Sequence, residues 1–278
     1  MWFGDEENLV AIVSEPSPPK KVPNVLILNA GVLHRVGPHR LHVHLARSLA
    51  AAGHRVARLD LSGIGDSRAL PGRMTFRESS VADIRTTLDS LVDEGDSNGF
   101  ILFGVCSGAD NALAAAQADP RIRGLVLVDP PAYATPGSKL RHARGRLEGG
   151  RAWLHLPMRV ALAALRRGAR VLNTKLFKTR SSMPVAEGGR ELPPIEEYRR
   201  QLNALVQRDI RILAIYSGVL GARYNHEDQL FEAFPELKGK VDCVYFPDAN
   251  HTFTELSAQA ALQARVLSWC KRWEAAAP

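Results

Sequence analysis

The chain has 278 residues, 45% of them hydrophobic and 23% charged, which is enough to bury a large core in one α/β domain carrying an insertion. Its net charge of +7 is concentrated in residues 133–180, where twelve Lys or Arg accompany the single acid Glu148; the remainder is slightly acidic and carries no nucleic-acid-binding motif. No apolar run of about 18 residues and no basic-then-apolar leader pattern occurs, and Cys106, Cys243 and Cys270 are too widely spaced for a disulfide framework or a zinc pattern, so a cytoplasmic protein with no metal or other cofactor is expected.

In chain order, residues 2–3 and 9–13 read as a hairpin around the polar turn 4–8, followed by a proline-rich connection. An alternation of strands and helices then begins. Strand 22–28 precedes a helix over 38–52 with Leu41, Leu45, Leu49 and Ala52 on one face, and strand 56–61 precedes a helix over 80–93. Strand 100–105, helix 107–118 and strand 125–128 continue the rhythm of a mostly parallel sheet. After the insertion come helix 195–206, strand 212–216, a helix near 227–234, strand 241–246 and a last helix over 254–273. Within the insertion, residues 157–172 place Met158, Leu162, Leu165 and Leu172 on one helical stripe and Arg159, Arg166 and Arg170 on another, the pattern of a cap with an apolar and a basic face. The basic face is either a solvated surface or an attractor for an acidic carrier protein, a coenzyme A phosphate or an anionic membrane surface.

The most informative segment is Gly104-Val105-Cys106-Ser107-Gly108, lying between the apolar run Phe100-Ile101-Leu102-Phe103 and a helical pattern. A nucleophile at a sharp strand-to-helix turn needs very small neighbours two positions away on either side. Gly104 and Gly108 meet that need for Cys106, whereas Ser107 would have the β-branched Val105 as such a neighbour.

The element order, the turn at Cys106 and the late His251 together resemble the α/β-hydrolase superfamily over the whole chain outside the insertion. Asp60-Leu61-Ser62-Gly63-Ile64-Gly65-Asp66-Ser67 is similar to that family's Asp-x-x-Gly-x-Gly-x-Ser turn, and Asp248-Ala249-Asn250-His251-Thr252-Phe253 to its histidine loop. Asn29-Ala30-Gly31 with Gly37-Pro38-His39-Arg40-Leu41 also resembles the small hydrolases associated with the bacterial exosortase A system. A cysteine in the elbow is shared with dienelactone hydrolases and polyhydroxyalkanoate synthases.

The resemblance implies an α/β-hydrolase fold: a mostly parallel eight-stranded sheet flanked by helices, with a core of residues 1–132 and 195–278 and a helical cap over 133–194. It implies Cys106 as nucleophile, His251 as base, and the backbone amides of Val32 and Ser107 as an oxyanion hole. The triad acid stays open. Most relatives carry it a few residues after the penultimate strand, where this chain has no carboxylate until Glu227 and Asp228; Asp129, directly after strand 125–128, matches an alternative site, and a Cys/His dyad would also serve.

The implied activity is hydrolysis of an ester or thioester through an acyl-cysteine, with transfer of the acyl group to an amine or alcohol as the alternative. A non-catalytic ligand-binding protein of the same fold is the second alternative. The implied partners are a small acyl substrate and, at the basic cap, an acyl carrier protein or coenzyme A thioester. His34, His39, His42 and His44 do not form a metal site, since His42 and His44 are two apart on a helix. Asp66 is expected to brace the Gly63-Ile64-Gly65 turn, Asp110 to complement its helix dipole, and His34 and Arg35 to line the pocket or lie on the surface.

Overall fold

Short runs such as Asn24–Ile27 and Phe100–Val105 are buried along their whole length, the signature of central strands covered on both faces. A computed structural model describes residues 1–69, 74–92, 98–148, 190 and 192–273. β1 (Trp2–Phe3) and β2 (Leu9–Ser14) form the N-terminal hairpin, and β2 runs antiparallel to β4 (Val56–Asp60). β3 (Asn24–Ile27), β5 (Phe100–Val105), β6 (Ile122–Val128), β7 (Arg211–Ser217) and β8 (Asp242–Phe246) complete a sheet ordered β1-β2-β4-β3-β5-β6-β7-β8, parallel from β4 onward. The expected eight-stranded, mostly parallel sheet is therefore present.

Helices cover both faces. α1 (Leu41–Ala51) and α7 (Leu256–Cys270) bury Leu45, Leu49, Val266 and Trp269 against Ile27, Ile101 and Val126. On the other face, α2 (Phe76–Leu91), α3 (Ser107–Ala118) and α5 (Ile195–Gln207) pack Ile84, Leu88, Ala112 and Leu202 onto Leu26, Leu102 and Leu125. The alternation of Leu26 and Ile27, or Ile101 and Leu102, between the two cores follows from the two-residue period of a strand. Each fully buried leucine contributes about 2 kcal/mol of transfer free energy.

Several boundaries differ from the sequence reading for local reasons. The helix expected over 80–93 starts at Phe76 because Thr75 and Glu78 form a reciprocal capping box. The helix expected from 38 begins at Leu41, since His39 and Arg40 adopt left-handed φ values of 48° and 62°. The last helix ends at Cys270, with a 3-10 turn through Trp273. Of the insertion, α4 (Pro136–Glu148) is bonded to the core: Ser138 Oγ donates to Ala222 O at 2.8 Å, and Arg141 reaches Asn225 at 3.0 Å and Glu232 at 2.8 Å. The amphipathic segment 157–172 lies outside the described residues. Among the described residues no helix is long and apolar enough to cross a membrane.

Candidate active site

The C-terminal edge of the parallel strands gathers the chemistry, as expected of an open α/β sheet. Cys106 ends β5 with φ 57° and ψ −117°, a left-handed turn from which α3 starts at once. The elbow is sterically tight. A Cβ on Gly104 would lie 2.2 Å from the Gly108 carbonyl group, and one on Gly108 would lie 2.5 Å from Asn29 O. Both glycines are thus required by close backbone approach, as the spacing around Cys106 suggested.

His251 follows β8, and its Nδ1 lies 2.6 Å from Asp129 Oδ2, while the Cys106 thiol acts electrostatically on its ring. Asp129 stands directly after β6, fully buried and itself left-handed at φ 48°. Its carboxylate accepts from the Ser217 N–H and the Ser217 hydroxyl, both at 2.7 Å, so three donors fix it. His251 thus stands between the Asp129 carboxylate, which it hydrogen-bonds, and the Cys106 thiol, on which it acts electrostatically.

Among the described residues no other carboxylate bonds His251, neither the expected alternative Asp228 nor Glu227. Asp228 precedes the short helix α6 (Gln229–Ala233), and its carbonyl accepts from Phe231 N at 2.9 Å and Glu232 N at 3.0 Å. Glu227 offers its carbonyl to Tyr224 Oη at 3.3 Å.

Electrostatics separate the three cysteines. Burial opposes ionisation of Cys106, but the His251 hydrogen bond, the charges of Arg190 and His251 and the Ser107 N–H together hold its thiol below the ordinary value. Burial pushes Cys243 up to about 11 and Cys270 up to about 12. Hydrogen bonds to Asp129 and then to Cys106 raise His251 to about 10, against the opposing effect of burial.

Next to the elbow, the loop after β3 is pinned by buried Asn29, which donates to Leu33 O at 2.8 Å and Asp60 Oδ1 at 2.9 Å and accepts from Leu61 N at 2.8 Å. Gly31 N donates to Ser107 Oγ at 3.0 Å, so Ser107 ties this loop to the elbow. Val32 follows with its side chain exposed.

Asp60, not Asp66, braces the glycine turn, accepting from Asp66 N at 3.1 Å, while the Ser67 hydroxyl donates to Asp60 O at 2.6 Å. The Asp66 side chain pairs with Arg35 at 2.7 Å and His34 at 3.3 Å. His34, Asp60 and Asp66 bring ligand atoms within 4.8 Å of one another, but the Arg35 guanidinium is bonded to both carboxylates and already supplies the positive charge. His42 is instead buried edge-on to Phe103, and that burial drives it down to about 3.

Sequence reasoning missed Arg190. Its Nε and Nη2 reach the two Asp110 oxygens at 2.7 and 2.5 Å, and its Nη1 donates to Asp129 O at 2.8 Å. A single arginine at the end of a basic insertion gives no signal of that role.

Residues 31–185, more than half of the chain, match the family model Hydrolase_4, described as serine aminopeptidase, S33. The chain belongs to this family. This Hydrolase_4 member shares its fold with the mouse alpha/beta hydrolase domain-containing protein 10, at 15% identity and TM-score 0.57, covering 98% of each chain. It is also similar to a thermophilic esterase from Thermogutta terrifontis, at 18% identity and TM-score 0.55 over 95% of this chain and 93% of the other. A thioesterase domain from the curacin biosynthetic pathway aligns at 19% identity and TM-score 0.55 over 96% and 98%. No curated protein sequence matches the chain. Where the family description names serine, this Hydrolase_4 chain carries Cys106 at the elbow.

Proposed function

We propose that this Hydrolase_4 protein hydrolyses an activated acyl donor, an ester or thioester, through an acyl-Cys106 intermediate. The observation that carries the reading is the hydrogen bond from His251 to buried Asp129 together with Cys106 at a strained strand-to-helix turn. The Cys106 thiolate attacks the acyl carbonyl, forming a C–S bond while the carbonyl π electrons move to oxygen. The Ser107 and Val32 amides hold that oxyanion, and loss of one such donor costs about 3 kcal/mol of barrier. As the tetrahedral adduct collapses, the C–O or C–S bond to the leaving group breaks, and protonated His251 supplies the proton that the leaving group takes. Neutral His251 then removes a proton from water, which attacks the thioester and releases the acid and the Cys106 thiolate.

A thiolate expels an amide anion reluctantly, which favours thioesters, lactones and esters over peptides despite the family's aminopeptidase description. Residues 1–132 and 195–278 form the core in this reading and 133–194 the cap, whose basic residues suit a coenzyme A or carrier-protein thioester. The reading as a non-catalytic binder drew on the missing carboxylate after β7; the bond from Asp129 to His251 removes that ground.

A panel of acyl-coenzyme A thioesters and aryl esters, assayed with wild type, Cys106→Ala and His251→Ala, tests the proposal. Turnover by wild type and a loss of about 1,000-fold or more in both variants is expected. Retained turnover in Cys106→Ala overturns it. Added amine or alcohol reports the partition between hydrolysis and acyl transfer.

A further inference from the structure

Hydrolysis through Cys106, His251 and Asp129 gives no task to the ion pair Arg190–Asp110, which is largely buried beside them. Asp110 lies in the first turn of α3, where its N–H donates to Cys106 O at 3.3 Å. Arg190 grips both oxygens of Asp110 and donates a third bond to the main-chain oxygen of Asp129. Its side chain is only 17% exposed, and that of Asp110 16%. The guanidinium is thus fixed between the first turn of α3, which starts directly after Cys106, and Asp129, which follows β6.

Surface arginines do not need such a cradle. A carboxylate at Asp110 alone would oppose a negative sulfur one turn away, and a fixed cation reverses the sign of the local field.

We propose that Arg190 is a positioning residue for the nucleophile: Asp110 and the Asp129 carbonyl hold its guanidinium so that a permanent positive charge stays within electrostatic reach of the Cys106 sulfur. The inference deepens the acyl-cysteine reading, which gives that charge its purpose. The charged and titratable groups around the sulfur are His251 from the loop after β8, Asp129 behind it, Asp110 on α3 and Arg190 itself. Tyr133 and Tyr198, which flank the pair, are held neutral because burial raises both phenols. Arg190 accordingly acts with His251 in drawing the Cys106 thiol down, against burial, which is the largest influence and acts the other way.

The test is the rate of Cys106 alkylation by iodoacetamide on the full chain, followed from about pH 5 to about pH 10 by peptide mass. Only the thiolate reacts: sulfur bonds to the methylene carbon and iodide leaves with the C–I electron pair, so the midpoint of the profile reads the thiol. Arg190→Gln is expected to raise the midpoint by about one unit, slowing alkylation about tenfold on the acid limb, and Arg190→Lys to restore most of the rate. Asp110→Asn keeps one amide oxygen and the Asp129 carbonyl to hold the guanidinium and removes only the counter-charge, so it is expected to lower the midpoint.

A pair that only braces the fold makes Arg190→Gln and Asp110→Asn move the midpoint the same way or leave it in place, and either result overturns the proposal. If Arg190→Gln fails to fold, Asp110→Asn decides: a raised or unmoved midpoint sinks the idea. Turnover that persists in Cys106→Ala would remove the acyl-cysteine reading and leave the midpoint shifts standing, so the two failures are distinguishable.

Discussion

Asp129 accepts hydrogen bonds from Ser217 N, Ser217 Oγ and His251 Nδ1 with no exposure to solvent, so all three donors meet a carboxylate that water cannot replace. Asp129→Asn puts an amide N–H against a donor on Ser217 or His251 and loses the negative charge behind the imidazole. Thioester turnover is expected to fall about 100-fold or more, whereas Asp228→Asn stays within about twofold of wild type, as measured by kcat/KM. Protonation of His251 also links the site to stability. Its folded value, about 10, lies above the ordinary 6.5, so its contribution is whole below about pH 6.5 and is lost as pH rises toward 10. Cys106 runs the other way: its folded value lies below the ordinary 9.0, so its contribution is present above that pH and lost as pH falls. In a Cys106→Ala background the melting-temperature gap between His251 and His251→Gln should be widest near pH 6 and shrink as pH rises. A gap that widens with pH would refute the linkage. The sequence left Asp129, Glu227 and Asp228 as candidates because nothing in it shows which of them meets His251, and Asp129 lies 122 residues away from it in the chain. Arg190 was invisible for the same kind of reason, since its partners Asp110 and Asp129 lie 80 and 61 residues away in the chain.

The elbow joins β5 to α3 so closely that its glycines report on different parts of the site. A Cβ on Gly104 strikes the Gly108 carbonyl, within the elbow itself, whereas one on Gly108 strikes Asn29 O, at the root of the loop that carries Val32. Gly104→Ala should therefore cost about 1–3 kcal/mol or more of stability in denaturant titration. Gly108→Ala should cost activity as well, through displacement of the Asn29 loop, seen as a fall in kcat larger than any rise in KM. Strand and helix order was legible from the alternation of short apolar runs and 3.6-period stripes, because both faces of the sheet are buried. Helix starts were less so. The capping pair Thr75 and Glu78 was there to be read, and moved α2 four residues earlier than the apolar stripe alone suggested. The kink at His39 and Arg40 was not, because a left-handed turn in ordinary residues follows from tertiary packing.

Across the whole molecule, positive charge is segregated: residues 133–180 are strongly basic on an otherwise slightly acidic chain. If those residues attract the phosphates of a coenzyme A thioester, KM for such donors should rise several-fold between low salt and about 0.5 M salt, while an uncharged aryl ester keeps its KM. Equal salt responses would leave those basic residues without a part in donor binding. Eight strands, their covering helices and the loops at their C-terminal ends converge on one sulfur, and the account stands on what that sulfur does. The most direct test is intact-protein and peptide mass after brief mixing with a short acyl thioester and acid quench. A gain equal to the acyl group is expected on the peptide bearing Cys106, labile to neutral hydroxylamine and absent from Cys106→Ala. Turnover without that adduct, or an acyl group on Ser107 instead, would contradict it.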